Sequence, residues 1–414
     1  MKYSDLSVHL TKIIEKNEKK NNGIFFTPPQ TIHENIEHLK PFLNSKVKNV
    51  LEPSCGSCEY IIKLEKEFNN LSILGMEINK TIFNSIKNIK SKNKNSIKFL
   101  NQDFIKYEFN CKYDLIIGNP PFFVMKKNQV NKSYYNYFDG RPNIFILFIV
   151  KSLKLLNDNG ILSFILPKSF LNCLYYDKTR KYINEHFKIL KIIELNDNYI
   201  DTKQETIILI IQKSNVNDNI VNNNNYILKI PSFTIFGTPE NIKKLGEFYN
   251  NSKTLNDLGF NVSVGNIVWN QCKKDLTNDK NKTLLVYSSD IKNNELVVQK
   301  YSNKLKKNYI NKKGIKHPTL VINRGYGVGS YNFNYCIINE KESIEYLIEN
   351  HLICIKYLKQ IKNSQLIDLY KKIIESFKNK KTLEFIKLYF GNNAINTTEL
   401  CNILPIYNIN DIDL

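Results

Sequence analysis

Asp114-Leu-Ile-Ile-Gly-Asn-Pro-Pro-Phe122 is the stretch from which the rest of the chain is read. Residues 113–117 form a short apolar run without a breaker, the pattern of a buried strand, and Gly118-Asn119-Pro120-Pro121 stops it at once. The strand therefore carries a stiff polar tip. Two prolines fix two φ angles and donate no hydrogen bond, so the carbonyls of Asn119 and Pro120 become pre-aimed acceptors beside the Asn119 side-chain oxygen. Such a cluster suits an exocyclic amino group, because an amine held by two acceptors loses conjugation with its ring and frees its lone pair for attack. Phe122 adds a flat face for a base to stack on. The plainer reading is a rigid turn, and Asn-Pro-Pro alone leaves the two balanced.

Upstream lie three more strand tips. Residues 47–51 read as a strand, Glu52-Pro-Ser-Cys-Gly56 as a tight turn, and the following residues through 68 as a helix. Gly56 would let backbone approach a ligand at the carboxyl end of a strand. A second strand, 71–76, ends at Glu77, about 20 residues beyond the glycine, where nucleotide folds place an acid for ribose hydroxyls. After a helix over 80–90, strand 97–100 ends in Asn101-Gln-Asp103-Phe104. Asp103 could accept from an adenine amino group with Phe104 against the ring, or be a solvated acid in a turn. At the start of the chain Leu6, Leu10, Ile13 and Ile14 repeat at helical spacing, residues 16–22 form a polar exit, and Gly23-Ile-Phe-Phe-Thr27-Pro-Pro29 precedes a helix.

Downstream, residues 126–142 form a loop, followed by a helix over 144–156 and a strand over 161–166. A helix over 177–186 and strands over 189–195 and 206–212 come next. This alternation predicts a doubly wound, mostly parallel α/β sheet with a late antiparallel edge. Residues 214–225 read as a linker, and beyond them short strands and helices over 344–359 and 365–378 indicate an α+β domain. The expected division is an N-terminal helix 1–22, a catalytic domain 23–213, the linker 214–225 and a second domain 226–414.

Composition agrees with two domains, since 414 residues exceed one compact core. Lys plus Arg outnumber Asp plus Glu by 59 to 39, a formal charge of +20 that points to a polyanionic partner. The cations are nearly all Lys, and AT-rich coding produces such a bias without selection. The rare Arg141, Arg180 and Arg324 therefore stand out. Residues 273–316 are Lys-rich with Tyr301 and Tyr309 interleaved, making Lys304, Lys306 and Lys307 candidates for phosphate contact. Arg324, in Asn323-Arg-Gly-Tyr326-Gly-Val-Gly329, is a candidate for reading a guanine edge, with Tyr326 and Arg141 as further DNA-contact candidates. Of eight cysteines only Cys55 and Cys58 have metal-like spacing, and no second pair follows, so no metal is expected and the thiols read as those of an intracellular protein. Neither a signal peptide nor a run of membrane-spanning length is evident.

The ordered set Gly23-Ile-Phe-Phe-Thr-Pro, Leu51-Glu-Pro-Ser-Cys-Gly, Gly75-Met-Glu-Ile-Asn, Asn101-Gln-Asp-Phe and Asn119-Pro-Pro-Phe resembles the S-adenosylmethionine-dependent amino-methyltransferases of DNA. Its order resembles the gamma group of adenine-N6 enzymes, with residues 23 to about 213 covered by motif and the remainder similar to a target-recognition domain. The resemblance implies that Thr27 closes over the methionine part of the cofactor. Glu52 to Gly56 would hold the methionine and sulfonium region, and Glu77 the ribose hydroxyls. Asp103 and Phe104 would attend the cofactor adenine. Asn119 and Pro120 would grip the target amine, with Pro121 stiffening the tip and Phe122 stacking on the base. Asn143 and Phe145 would border the same cleft. Two positions depart from the pattern. Cys58 stands where relatives have a second glycine, and strand 207–212 offers no second aromatic for the target base.

The expected activity is methyl transfer to adenine N6 of a flipped base in double-stranded DNA. The expected protein is a cytoplasmic monomer working beside a companion restriction endonuclease. The rival substrates are ribosomal RNA guanine, cytosine N4 and protein glutamine. From another class, a catalytically dead DNA-binding subunit would keep the fold, although the intact Glu77, Asp103 and Asn119 set argues against it. No Pro-Cys pair at the tip supports cytosine-C5 chemistry, and no Pro-Asp…Glu-x-Lys arrangement indicates a fused nuclease.

Overall fold

Seven strands, β1 (Asn49–Glu52), β2 (Ser72–Met76), β3 (Ser96–Leu100), β4 (Tyr113–Gly118), β5 (Leu156–Pro167), β6 (Lys188–Leu195) and β7 (Thr206–Gln212), form one sheet in the order β3-β2-β1-β4-β5-β7-β6. This is a computed structural model that describes residues 2–195, 199, 204–214, 225–231, 233–323, 334–340, 343–390 and 395–409. β1 to β5 pair in parallel, whereas β7 is antiparallel to both β5 and β6. The antiparallel strand is thus inserted between β5 and β6, and the edge strand β6 runs with the others. That corrects the expected antiparallel edge: β7 reads Thr-Ile-Ile-Leu-Ile-Ile-Gln with six of seven residues buried, as a strand flanked on both sides must be.

The sheet carries α1 (Asp5–Ile13), α2 (Lys16–Asn22), α3 (Pro29–Leu39), α4 (Glu59–Glu67), α5 (Lys80–Ile86), α6 (Ile144–Leu155) and α7 (Asp177–His186). Successive β4 side chains alternate between two cores. Leu115 and Ile117 join Ile32 and Ile36 of α3 and Ile61 and Leu64 of α4. Tyr113 and Ile116 join Phe145, Ile146 and Ile149 of α6 on the other side. Truncating Ile116 or Ile117, both fully buried, would cost about 2–5 kcal/mol. β4 is therefore anchored on both faces, and its tip inherits that rigidity.

Several boundaries differ from expectation. Residues 16–22 are a second helix rather than an exit, ended by Gly23 at φ +63°. α5 stops at Ile86, and β5 absorbs residues 158–160 with a register shift against β4. The first compact unit runs from Met1 to Ile242, and the second from Lys243 to Leu414. Past the expected linker, the hairpin Ile227–Ile230 and Phe233–Phe236 belongs to the first unit because α7 holds it. The Arg180 Nε donates to the Thr234 carbonyl at 2.5 Å, and the Thr234 N–H donates to Asp177 Oδ1 at 2.7 Å. Residues 215–224 of that linker lie outside the described residues.

In the second unit, strands Phe260–Val264, Leu352–Tyr357, Thr319–Asn323 and Tyr335–Ile338 form one four-stranded sheet. A second contains Leu276–Thr277, Tyr309–Ile310, Thr283–Val286 and Tyr346–Ile348. Residues 344–359, expected as a helix, are the strands Tyr346–Ile348 and Leu352–Tyr357 joined by a turn at Asn350 and His351. Their apolar runs are buried in the two sheets, and that burial overrides the helical spacing. The expected helix over 365–378 is present as Asn363–Lys378. Among the described residues no helix is long and apolar enough to cross a membrane.

Candidate active site

The carboxyl ends of β1, β2, β3 and β4 bring the motif residues to one edge of the sheet. Gly56, at φ +49°, donates its N–H to Glu77 Oε2 at 3.0 Å, tying the first turn to the end of β2. Glu77 Oε1 accepts from the Asn79 N–H at 2.7 Å, and burial pushes this carboxyl above its usual range. Cys58 occupies the left-handed region at φ +66° and donates its N–H to the Cys55 carbonyl at 2.7 Å, so the turn closes without the family's second glycine. Asp103 accepts from the Ile105 N–H at 2.9 Å. Phe104 does not present a free face. Its ring is 2% exposed and packs on Phe148 at 4.9 Å and Phe109 at 5.7 Å, with the Lys151 ammonium 5.3 Å from its centre. The exposed apolar side chain at this end is instead Ile78, 65% exposed beside Glu77. Sequence reading missed it, since exposure is not written in a residue's type.

Glu52 sits behind the catalytic tip. A Cβ added at Gly118 would lie 3.4 Å from Glu52 Cγ, so this glycine lets the carboxyl lie against β4. Glu52 is buried, and its Oε2 has no hydrogen-bond partner. Burial first, then the neighbouring Cys58, Glu77 and Glu59, push its pKa well above the carboxylate range. A small pocket here is lined by Phe26, Thr27, Glu52, Gly56 and Asn119, among others. A buried carboxyl with an unpartnered oxygen leaves an acceptor for a donor or cation in the pocket.

At the end of β4, the tip 119–122 is held from three directions. Its Nδ2 donates to Thr27 Oγ1 at 3.1 Å, and the Ser54 hydroxyl donates to its main-chain carbonyl at 3.2 Å. Gly23, at φ +63°, lies so close that an added Cβ would be 2.6 Å from the Phe122 nitrogen. The Asn119 carbonyl, expected to be open, is thus partly used, whereas its Oδ1 is buried without a partner. Phe122 is partly buried, and its ring meets Phe145 edge-on at 5.9 Å. Asn143 Oδ1 is likewise buried and unpartnered. Arg141 is exposed at the end of a loop whose base is closed by the Met125 N–H donating to the Pro142 carbonyl at 2.8 Å.

The remaining candidates disperse. Arg180 is a fully buried clamp that also donates to the carbonyls of Phe170 and Cys173 at 2.9 and 2.8 Å. Lys306 is wedged over the rings of Tyr287 and Tyr301, 4.1 and 3.9 Å from their centres, and desolvation lowers its basicity. The Lys307 ammonium donates to the Leu276 carbonyl at 3.3 Å, while Lys304 is exposed. Arg324 and Tyr326 lie outside the described residues. A cleft of about 700 Å³ in the second unit is rimmed instead by Lys280, Lys282, Lys312 and Lys313, with Thr283 and Tyr309 in its lining. One trio of metal-type ligands, His33, Glu37 and Glu67, lies within 4.8 Å, but Lys40 and Lys63 already pair with its glutamates.

The fold and the edge-of-sheet site define a Rossmann-like methyltransferase domain. Residues 9–200 match the family model described as Eco57I restriction-modification methylase. The chain is 29% identical over 413 residues to the Type II methyltransferase M.CvrRI of Paramecium bursaria Chlorella virus XZ-6E, spanning 98% of this chain and 99% of that one. It is 30% identical over 216 residues to the modification methylase CviBIII of Paramecium bursaria Chlorella virus NC1A, spanning 51% of this chain and 55% of the relative. Among solved structures, the DrdV–DNA complex has a TM-score of 0.50 at 11% identity, covering 97% of this chain and 57% of that one, a likeness of fold.

Proposed function

We propose that this protein transfers a methyl group from S-adenosyl-L-methionine to the N6 amino group of adenine in double-stranded DNA. The observation that carries this reading is the buried, unpartnered Asn119 Oδ1 at a proline-stiffened tip beside the pocket. The residues present fit the cofactor. Glu52 Oε2 would offer an open acceptor to its ammonium or sulfonium end, Glu77 would accept from ribose hydroxyls and Asp103 from the adenine amine, and the exposed Ile78 would offer apolar surface to the adenine. When bound, the cofactor supplies an electrophilic methyl on a sulfonium.

The chain's own residues do the remaining work. Asn119 Oδ1 and the Pro120 carbonyl accept the two amine hydrogens and turn the nitrogen lone pair toward the methyl. Phe122 offers its face to the base, which must leave the duplex stack to reach a buried tip. The nitrogen gains the methyl as the sulfur–methyl bond breaks, leaving a neutral thioether, and loses one hydrogen as a proton to solvent. Holding nitrogen and methyl in near-attack geometry supplies most of the acceleration. The second unit's lysine-rimmed cleft contacts backbone phosphates, while Arg141 contacts DNA near the tip. The working form is a monomer beside a companion endonuclease of the same specificity.

Incubating the protein with methyl-labelled cofactor and unmethylated DNA, ribosomal RNA or protein tests this. Label in DNA that hydrolyses to N6-methyladenine is the expected outcome. Label as N4-methylcytosine, or in RNA or protein only, overturns it.

A further inference from the structure

Asn119 can present either end of its carboxamide to a substrate. Only the oxygen end accepts from an amine, and the NH2 end would repel it. Something must therefore choose the rotamer. In the structure the choice is made by a side chain 92 positions earlier, since Asn119 Nδ2 donates to Thr27 Oγ1 at 3.1 Å and Oδ1 is left buried without a partner. Thr27 is itself buried and lines the same pocket. A hydroxyl can accept and donate at once, and Thr27 donates no hydrogen bond to any described residue. Its proton is thus available to an acceptor in the pocket. Once that proton is engaged, only lone pairs face Asn119, and the carboxamide is pinned with its NH2 end toward Thr27.

We propose that Thr27 is the positioning residue for the Asn119 carboxamide, setting which atom meets the amine rather than serving only as a wall of the cofactor pocket. This rests on the adenine-methyltransferase reading above. The segment carrying Thr27 is fixed at both ends of the contact: Gly23 abuts the Phe122 backbone, and Phe26 lies 3.6 Å from where a Cβ on Gly56 would sit. The hydroxyl therefore cannot drift from the amide without moving the turn.

The test compares Thr27→Val, which keeps shape and removes the hydroxyl, with Thr27→Ser, which keeps the hydroxyl. Single-turnover methyl transfer to DNA, cofactor affinity by calorimetry and DNA affinity are measured on the full chain. At saturating cofactor, Thr27→Val is expected to slow transfer about 10- to 100-fold, the scale of a misplaced reacting group, well beyond any loss of cofactor affinity and with DNA affinity changed by less than about threefold. Thr27→Ser is expected to restore the rate to within about threefold of wild type. Unchanged turnover in Thr27→Val, equal losses in both variants, or a loss of cofactor affinity matching the loss of rate would each overturn the positioning role. A wild-type protein that labels no DNA would instead remove the functional reading and this inference with it.

Discussion

The Asn119 tip and the cleft around Thr283 handle polarity in opposite ways. At the tip one acceptor is buried, unpaired and held by Thr27, Ser54, Gly23 and two prolines. In the cleft Lys280, Lys282, Lys312 and Lys313 are exposed on flexible stems. A fixed acceptor discriminates by geometry and loses everything when moved, whereas exposed ammoniums act through a screened field that tolerates displacement. On the proposed function, the chemistry sits where backbone and packing remove freedom, and the contact with a polyanion where freedom costs little.

That contrast breaks most visibly at Asn119. Asn119→Ala should lower single-turnover transfer by about 100- to 1000-fold, the scale of losing a preorganised polar contact, while calorimetry finds cofactor affinity little changed. If turnover survives, the tip is a turn and no more. Gly23→Ala tests the rigidity directly. A Cβ there is strained by the positive φ and meets the Phe122 backbone, so transfer should fall about 10- to 100-fold and stability by about 1–3 kcal/mol in denaturant titration.

The pocket between these extremes should respond to pH. Burial keeps Glu52 protonated to higher pH than an ordinary carboxyl, and a cation seated on Oε2 favours the carboxylate, so binding releases a proton. Cofactor affinity should then rise by up to about tenfold per pH unit from the ordinary carboxylate range upward and level off once free Glu52 ionises. Glu52→Gln should flatten that slope, and an unaltered slope would assign the proton elsewhere. Smallest are the lysines. Lys280→Ala and Lys282→Ala should each reduce the slope of log affinity against log salt by about 1, equally for all DNA sequences. Lys306→Ala should not, because its ammonium is already occupied by Tyr287 and Tyr301.

The tip, the strand ends and most first-unit elements were legible because each rests on local pattern: an apolar run, a proline stop, a glycine turn. Strand order was not, since nothing within Thr206–Gln212 says that it inserts between β5 and β6. Residues 344–359 misled because short buried strands and a helix share the same apolar density. Phe104 looked like a stacking ring and proved to be core, while Ile78, singled out by nothing in the sequence, proved exposed. Lys306 could not be separated from its neighbours, as Tyr287 lies 19 positions upstream and is brought to it only by folding.

Arg180 bears on how the molecule can be dissected. Its Nε is satisfied by a carbonyl 54 residues downstream, on a hairpin that follows the last strand of the large sheet. A fragment cut after β7 would keep the whole chemical apparatus yet strip an interior guanidinium of one acceptor, which costs about 1–3 kcal/mol and invites aggregation. The natural place to divide the polypeptide is therefore beyond that hairpin, and any attempt to graft a different second unit onto this sheet should carry the hairpin along.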